Sequence, residues 1–202
     1  MKGFLVSARP IRAVEVVIAS GQKLQFDNTV TMAVQRPNKL YAKRLGKETD
    51  QVFYYDGKSL TLHYPHENSY AAVAAPATLE AMLDMAREKL DLVAPGGDLV
   101  YGNSFEILMQ DVTEGFVVGK AVVEGVRCDH LAFRSPLVDW QIWIQEGKQP
   151  LPRKMVITTR DIVNAPQFEV VITRWNVAPA LNESQFSFTP PKGARKVGFV
   201  PL

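Results

Sequence analysis

Cys128-Asp129-His130 places a thiol and an imidazole two residues apart. A cysteine nucleophile needs its base within hydrogen-bond reach. On a strand the two side chains point to one face, but their Cβ atoms stand roughly 7 Å apart, because each residue rises ~3.3 Å. No glycine-rich oxyanion turn accompanies them. The pair therefore reads as a small buried thiol beside a histidine hydrogen-bonded within a sheet, and no catalytic residue is assigned. His63 and His66, with His130, complete the histidines of the chain. A zinc site wants three or four convergent ligands, and neither HxH nor HExxH occurs, so no metal site is expected. Glu80, Asp84, Glu88 and Asp91 alternate with Arg87 and Lys89, which reads as the solvated face of a helix. Gly96-Gly97 is followed by no lysine-serine or lysine-threonine, so it is not a phosphate loop. No cofactor is implied.

The totals point the same way. The 202 residues make one domain, 1–202, large enough for a full core. The chain is 47% hydrophobic with a net charge of +2 and no basic block, which argues against disorder and against a nucleic-acid partner. No stretch approaches the roughly 20 apolar residues of a spanning helix. Arg9, Pro10, Arg12 and Glu15 interrupt any apolar core near the start, so no targeting segment is read there. A single cysteine excludes an internal disulfide framework.

These residues must be positioned by strands. Leu24, Phe26, Val30, Met32 and Val34 alternate with polar residues, predicting a long strand with one apolar face. Val14–Ile18 precedes it across a turn at Ser20-Gly21-Gln22. Asp56-Gly57 separates Gln51–Tyr55 from Lys58–Tyr64. A type I′ hairpin there would pair Tyr55 with Lys58 and Phe53 with Leu60, setting Phe53, Tyr55, Leu60, Leu62 and Tyr64 on one face. Ser69–Ala74 is a further strand. The period then changes: Leu79, Met82, Leu83, Ala86 and Leu90 take helical spacing after an N-cap at Thr78. Pro95-Gly96-Gly97 stops that helix. A second helical run covers about 98–111, broken at Gly102-Asn103. Strands resume at 115–123, 126–134, 139–145, 153–160 and 167–177. The fold class is mainly β (α+β), a curved antiparallel sheet whose apolar face is covered by a helical lid at about 78–111. Trp140 and Trp143 fall on opposite faces of one strand. Core packing and the lining of an apolar site both remain open for the aromatic residues.

Several ordered motifs bear on that choice. They are Arg36-Pro37-Asn38-x-Leu40, Asp56-Gly57-Lys58-Ser59-Leu60 ending at Tyr64-Pro65, Trp140-Gln141-Ile142-Trp143-Ile144 followed by Leu151-Pro152, and Phe186-Ser187-Phe188-Thr189-Pro190-Pro191-Lys192-Gly193. Together they resemble the periplasmic lipoprotein-carrier (LolA/LolB-like) superfamily. Phe53–Lys58, Cys128–Arg134 and Asp139–Ile144 carry a closer likeness to an uncharacterised family of predicted periplasmic proteins with that fold. The resemblance implies an incomplete β barrel closed by helices, a periplasmic location, and a hydrophobic cavity for a lipid or lipoprotein acyl chain. A carrier or chaperone is the first expectation. An envelope sensor or protein-interaction module is the second, and a Cys-His enzyme the last. Candidate lining residues are Phe26, Val30, Met32, Phe53, Tyr55, Leu60, Leu62, Tyr64, Trp140, Ile142 and Trp143. Candidate lid contacts are Arg36, Leu79, Met82 and Leu83. The superfamily usually begins with a helix, so Met1 to Ile11 is expected to be the tail of one.

Overall fold

Among the described residues, twelve strands join in one sheet. The computed structural model describes residues 2–16, 20–47, 49–92, 94 and 96–199, with backbone alone at 9–11 and 14–16. Val17, Ile18 and Pro95 therefore lie outside the described residues. The chain runs β1 (Gly3–Val16), β2 (Lys23–Gln35), β3 (Lys39–Gly46), β4 (Asp50–Tyr55), β5 (Ser59–Tyr64) and β6 (Ser69–Ala74) as one antiparallel meander. Helix α1 (Leu79–Leu90), a 3-10 turn (Gly97–Val100) and α2 (Ser104–Met109) follow. A second meander comprises β7 (Glu114–Val123), β8 (Val126–Arg134), β9 (Val138–Gln145), β10 (Pro152–Thr159) and β11 (Gln167–Asn176). Pairing of β1 with β11 fuses the two meanders. The tail makes a 3-10 turn (Glu183–Phe186), then β12 (Arg195–Val197) lies parallel to β6. The sheet ends at β12 and β7 without closing, which is the incomplete barrel anticipated from the sequence.

The residues explain most of these elements, and three expectations need correction. The amino-terminal segment is strand, not the tail of a helix. Phe4, Val6 and Ala8 recur with period two and are 5%, 3% and 4% exposed, so a strand buries all three where a helix would scatter them. Its register slips between Ala8 and Ile11, where Pro10 has no N–H to give the ladder. At the Asp56-Gly57 hairpin the pairs are Tyr55 with Leu60 and Phe53 with Leu62. The loop is Gly57-Lys58. Asp56 accepts from the N–H groups of Lys58 (2.9 Å) and Ser59 (2.8 Å), and Gly57 takes φ 88° at the position where a type II′ turn wants glycine. The slip of two residues preserves the apolar face. The type I′ signature appears instead at Glu124-Gly125, with φ 47° and 76°. Finally, α1 stops at Leu90, before the Pro-Gly-Gly segment. Asp91 adopts φ 52° and Leu92 N–H returns to the Ala86 carbonyl (3.0 Å).

One sheet face carries the main core: Phe4, Val6, Val34, Leu40, Tyr55, Leu60, Trp140, Ile142, Met155, Val170 and Ile172. Helix α1 covers it, burying Leu79, Met82 and Ala86. Its start is fixed by Thr78, whose hydroxyl accepts from Ala81 N–H (3.3 Å). Thr78→Ala is expected to cost about 1 kcal/mol, read as faster amide exchange confined to α1. The second helix, α2, sets Leu108 and Met109 against this core, only partly buried.

Candidate functional site

The apolar trough beneath the helices is the best-defined candidate site. Tyr55, Leu60, Trp140 and Ile142 belong to its buried floor, with Met32 and Phe53 packed against it. Leu62 is fully buried on the same face of β5. From above, Leu79 and Met82 are buried in the trough and Leu83 packs at its side. Four candidates are not gathered there. Val30 is half-buried further along β2, outside the main cluster. Phe26 stands 37% exposed toward the turn end of β2. Tyr64 lines a polar recess of about 270 Å³ with Lys47, Thr49, Asp50, Gln51, His66 and Glu67. Trp143 lies on the opposite sheet face, as an odd spacing from Trp140 requires. It stacks on His130 at 4.0 Å and packs near Cys128, Val123 and Val171.

The lid is tied down by polar groups at the sheet rim. Arg36, at the turn after β2, donates to the Glu80 carboxylate (2.7 Å) and to the Val100 carbonyl (2.5 Å). The same Glu80 oxygen accepts from Gly102 N–H (3.2 Å), and Leu79 N–H donates to the Pro37 carbonyl (2.9 Å). One guanidinium thus joins the sheet to both α1 and the following 3-10 turn. Its planar fork suits two acceptors at once. Tyr101 donates to Asp84 (2.7 Å), and Arg87 pairs with Asp98 (2.7 Å). Burial, then the bond to Asp84, pushes the Tyr101 phenol well above its ordinary range. Tyr55 donates to the Pro76 carbonyl (2.6 Å) just before the lid begins.

Glu80 and Asp84 therefore do more than solvate a helix face. They stand one turn apart: Glu80 ties α1 to the sheet through Arg36, and Asp84 ties α1 to Tyr101 within the lid. Alternation with basic residues concealed this. The usable signal was the i, i+4 spacing of two acids beginning two residues after the N-cap.

The chemical candidates stay apart. Cys128 is fully buried, and burial pushes its thiol above the ordinary range. His130 Nε2 meets Gln141 Oε1 at 2.9 Å. Among the described residues, no group of three His, Cys, Asp or Glu is placed to hold a metal ion. A thiol reagent at pH 8 is expected to label native Cys128 only at the rate of unfolding and to label it at once in denaturant. Rapid native labelling, counted by mass spectrometry, would reopen the enzyme reading.

Residues 6–200 match the family described as "predicted periplasmic protein (DUF2092)". The chain belongs to this family. No curated protein matches it. Among solved structures, an uncharacterised conserved protein from Thermus thermophilus is similar over 98% of this chain and 90% of its own, with 10% identity and a TM-score of 0.55. The Mycobacterium tuberculosis lipoprotein LppX aligns over 89% of both chains with 12% identity and a TM-score of 0.48. A LolA superfamily protein from Nitrosomonas europaea aligns over 93% of this chain and 90% of its own, with 10% identity and a TM-score of 0.42. The DUF2092 member thus has the family and the open-sheet fold that its motifs suggested. At these identities the solved structures speak to fold alone.

Proposed function

We propose that this DUF2092 protein binds a hydrophobic ligand, a lipid or lipoprotein acyl chain, beneath its helices, as a periplasmic carrier or chaperone. The observation that carries the reading is the nature of the cover. A continuous apolar sheet face is closed by one short helix and a second whose Leu108 and Met109 pack against it only partly buried, fastened at the rim by Arg36. The surface recesses at Asp27–Thr29 and at Lys47–Gln51 include no residue of the main core. In this reading the ligand replaces the lid's side chains in the trough.

The magnitudes allow that exchange. Lifting α1 unburies Leu79 and Met82 at about 1.5–3 kcal/mol each, with less for Ala86, and breaks the Arg36 pair with the part-exposed Glu80 at about 1 kcal/mol. A sixteen-carbon chain gains roughly 12 kcal/mol gross at ~0.8 kcal/mol per buried CH₂, before ordering costs. Net binding survives with no reactive group.

The test is to purify the protein without detergent from a bacterial host and extract it for lipid mass spectrometry. A stoichiometric lipid is expected. It should be lost in Met32→Glu, which puts charge at the trough, and kept in Phe26→Glu, at the exposed end of the same strand. A lipid-free protein that also refuses an apolar fluorescent probe would refute the reading. One observation favours the interaction-module alternative: edge strand β7 exposes Phe116, Val117, Val118 and Val122 at 65%, 69%, 49% and 68%. Such an edge is a template for pairing with another chain. Val117→Lys should then abolish partner capture while leaving lipid content unchanged.

A further inference from the structure

The face of the sheet opposite the lid is roofed by the chain's own carboxy-terminal segment. Phe186 is fully buried. Phe188, two residues on, sets its ring 5.4 Å from Tyr54, 5.1 Å from His63 and 5.1 Å from Tyr70, on β4, β5 and β6 respectively. Beyond it the segment is held lightly. Asn68 Nδ2 donates to the Lys192 carbonyl (3.4 Å), Arg195 N–H donates to the Asn68 carbonyl (2.9 Å), and β12 pairs with β6 for three residues. At its front, Lys39 pairs with Glu183 (2.5 Å).

His63 is the one imidazole under this roof. The groups that face it are Asp50 and Tyr54 of β4, Tyr70 of β6 and, two strands away in register on either side, Lys43 of β3 and Lys196 of β12. Asp50 has a buried Oδ1 that finds no donor among the described residues, while its Oδ2 lies 3.5 Å from the exposed His66. We propose that residues 183–197 form a proton-releasable strap: protonation of His63 beneath Phe188 lifts the segment from β4–β6, uncovering the Tyr54–Tyr70 aromatic face and the edge of β6.

The physical reason is hydration. An imidazolium under an apolar ring loses its water. Burial holds the His63 pKa below its ordinary value, and the opposing pull of Asp50 is the smaller effect. Lifting the strap restores hydration, so the open form binds the proton more tightly. The strap's hold is then complete above the ordinary imidazole value of about 6.5 and is lost as pH falls through the lower, closed-state pKa. Release also lets the imidazolium turn to the Asp50 oxygen that lacks a donor.

The test follows the three histidine rings by NMR titration of the full chain, with amide exchange of residues 183–197 corrected for the chemical rate. His63 is expected to titrate below about 6.5. Strap protection should fall with pH while the β7–β11 amides, which report folding, hold. Phe188→Ala should raise the His63 pKa. The strap opening of the native chain should grow tenfold for each unit separating the two measured pKa values. His63→Phe, which keeps a ring under Phe188, should leave the strap closed at every pH. Strap protection indifferent to pH, an equal fall in His63→Phe, or one His63 pKa with and without Phe188 would each overturn the proposal.

Discussion

Truncating Tyr55 to alanine is expected to remove about 4 kcal/mol of folding free energy, the largest loss from a single substitution in the trough. Its ring is completely buried, in register with Leu40 on β3 and Leu60 on β5. Removal opens a cavity where sheet, lid and lid entrance meet, and it strands the Pro76 carbonyl that the phenol satisfies. Tyr55→Phe keeps the ring and loses only that bond, at about 1–3 kcal/mol. The two variants also differ in alkali. Burial, with Asp56 and Glu80 adding to it, pushes the Tyr55 phenol up to about 12. The folded protein therefore holds this proton more tightly than the unfolded chain does. The stability it contributes is whole below the ordinary value near 10 and is lost between there and about 12. Urea unfolding should show the gap between the native protein and Tyr55→Phe narrowing as pH rises through 10 to 11. A cost below 1.5 kcal/mol for Tyr55→Ala, on the order of a single methylene or two, would mean that the trough is loosely filled.

Much of this architecture was legible in the sequence because period two survives wherever one face is buried and the other is wet. The β2 alternation and the helical spacing from Leu79 to Leu90 both returned as elements of the expected kind. Legibility failed where a local signal had a competitor. Asp56-Gly57 fits a type I′ loop, but the Asp56 carboxylate captures the next N–H groups and moves the loop forward by one residue. Phe4, Val6 and Ala8 alternate over too few residues to stand against a family expectation of helix, and only the partners on β2 and β11 make their strand stable. The site was half legible. Apolar face membership follows from parity, which gathers Met32, Phe53, Tyr55, Leu60, Leu62, Trp140 and Ile142 and places Trp143 behind the sheet. The polar ties of the lid do not follow from parity. Arg36 and Glu80 stand 44 residues apart and Glu80 and Gly102 a further 22, and they meet only because β2 ends beneath the start of α1.

Arg36→Leu is accordingly expected to loosen the lid and tighten ligand uptake together. The guanidinium makes two charge-assisted bonds, each from a group more than three-quarters buried, and hydrogen bonds to charged groups are worth about 1.5–3 kcal/mol. Glu80 is 37% exposed and can rehydrate, and it keeps its bond to Gly102. The Glu80 pair therefore adds little, and the bond to the buried Val100 carbonyl, at the lower figure, sets the change at about tenfold in the opening equilibrium. If the trough binds only when the lid is away, apparent affinity is the intrinsic affinity scaled by the open fraction. An apolar fluorescent probe should then bind about tenfold more tightly to Arg36→Leu, with α1 amide exchange faster by the same factor. Arg36→Lys should fall between the two, because a point charge on a flexible stem cannot serve both acceptors in the fixed geometry of the fork. The paired readout carries the decision. Faster exchange with unchanged probe binding would show a lid that opens onto a surface the ligand does not use, and the trough would then be only a core. Equal factors in both would make the helices the gate of the binding site, with Arg36 setting how often it opens.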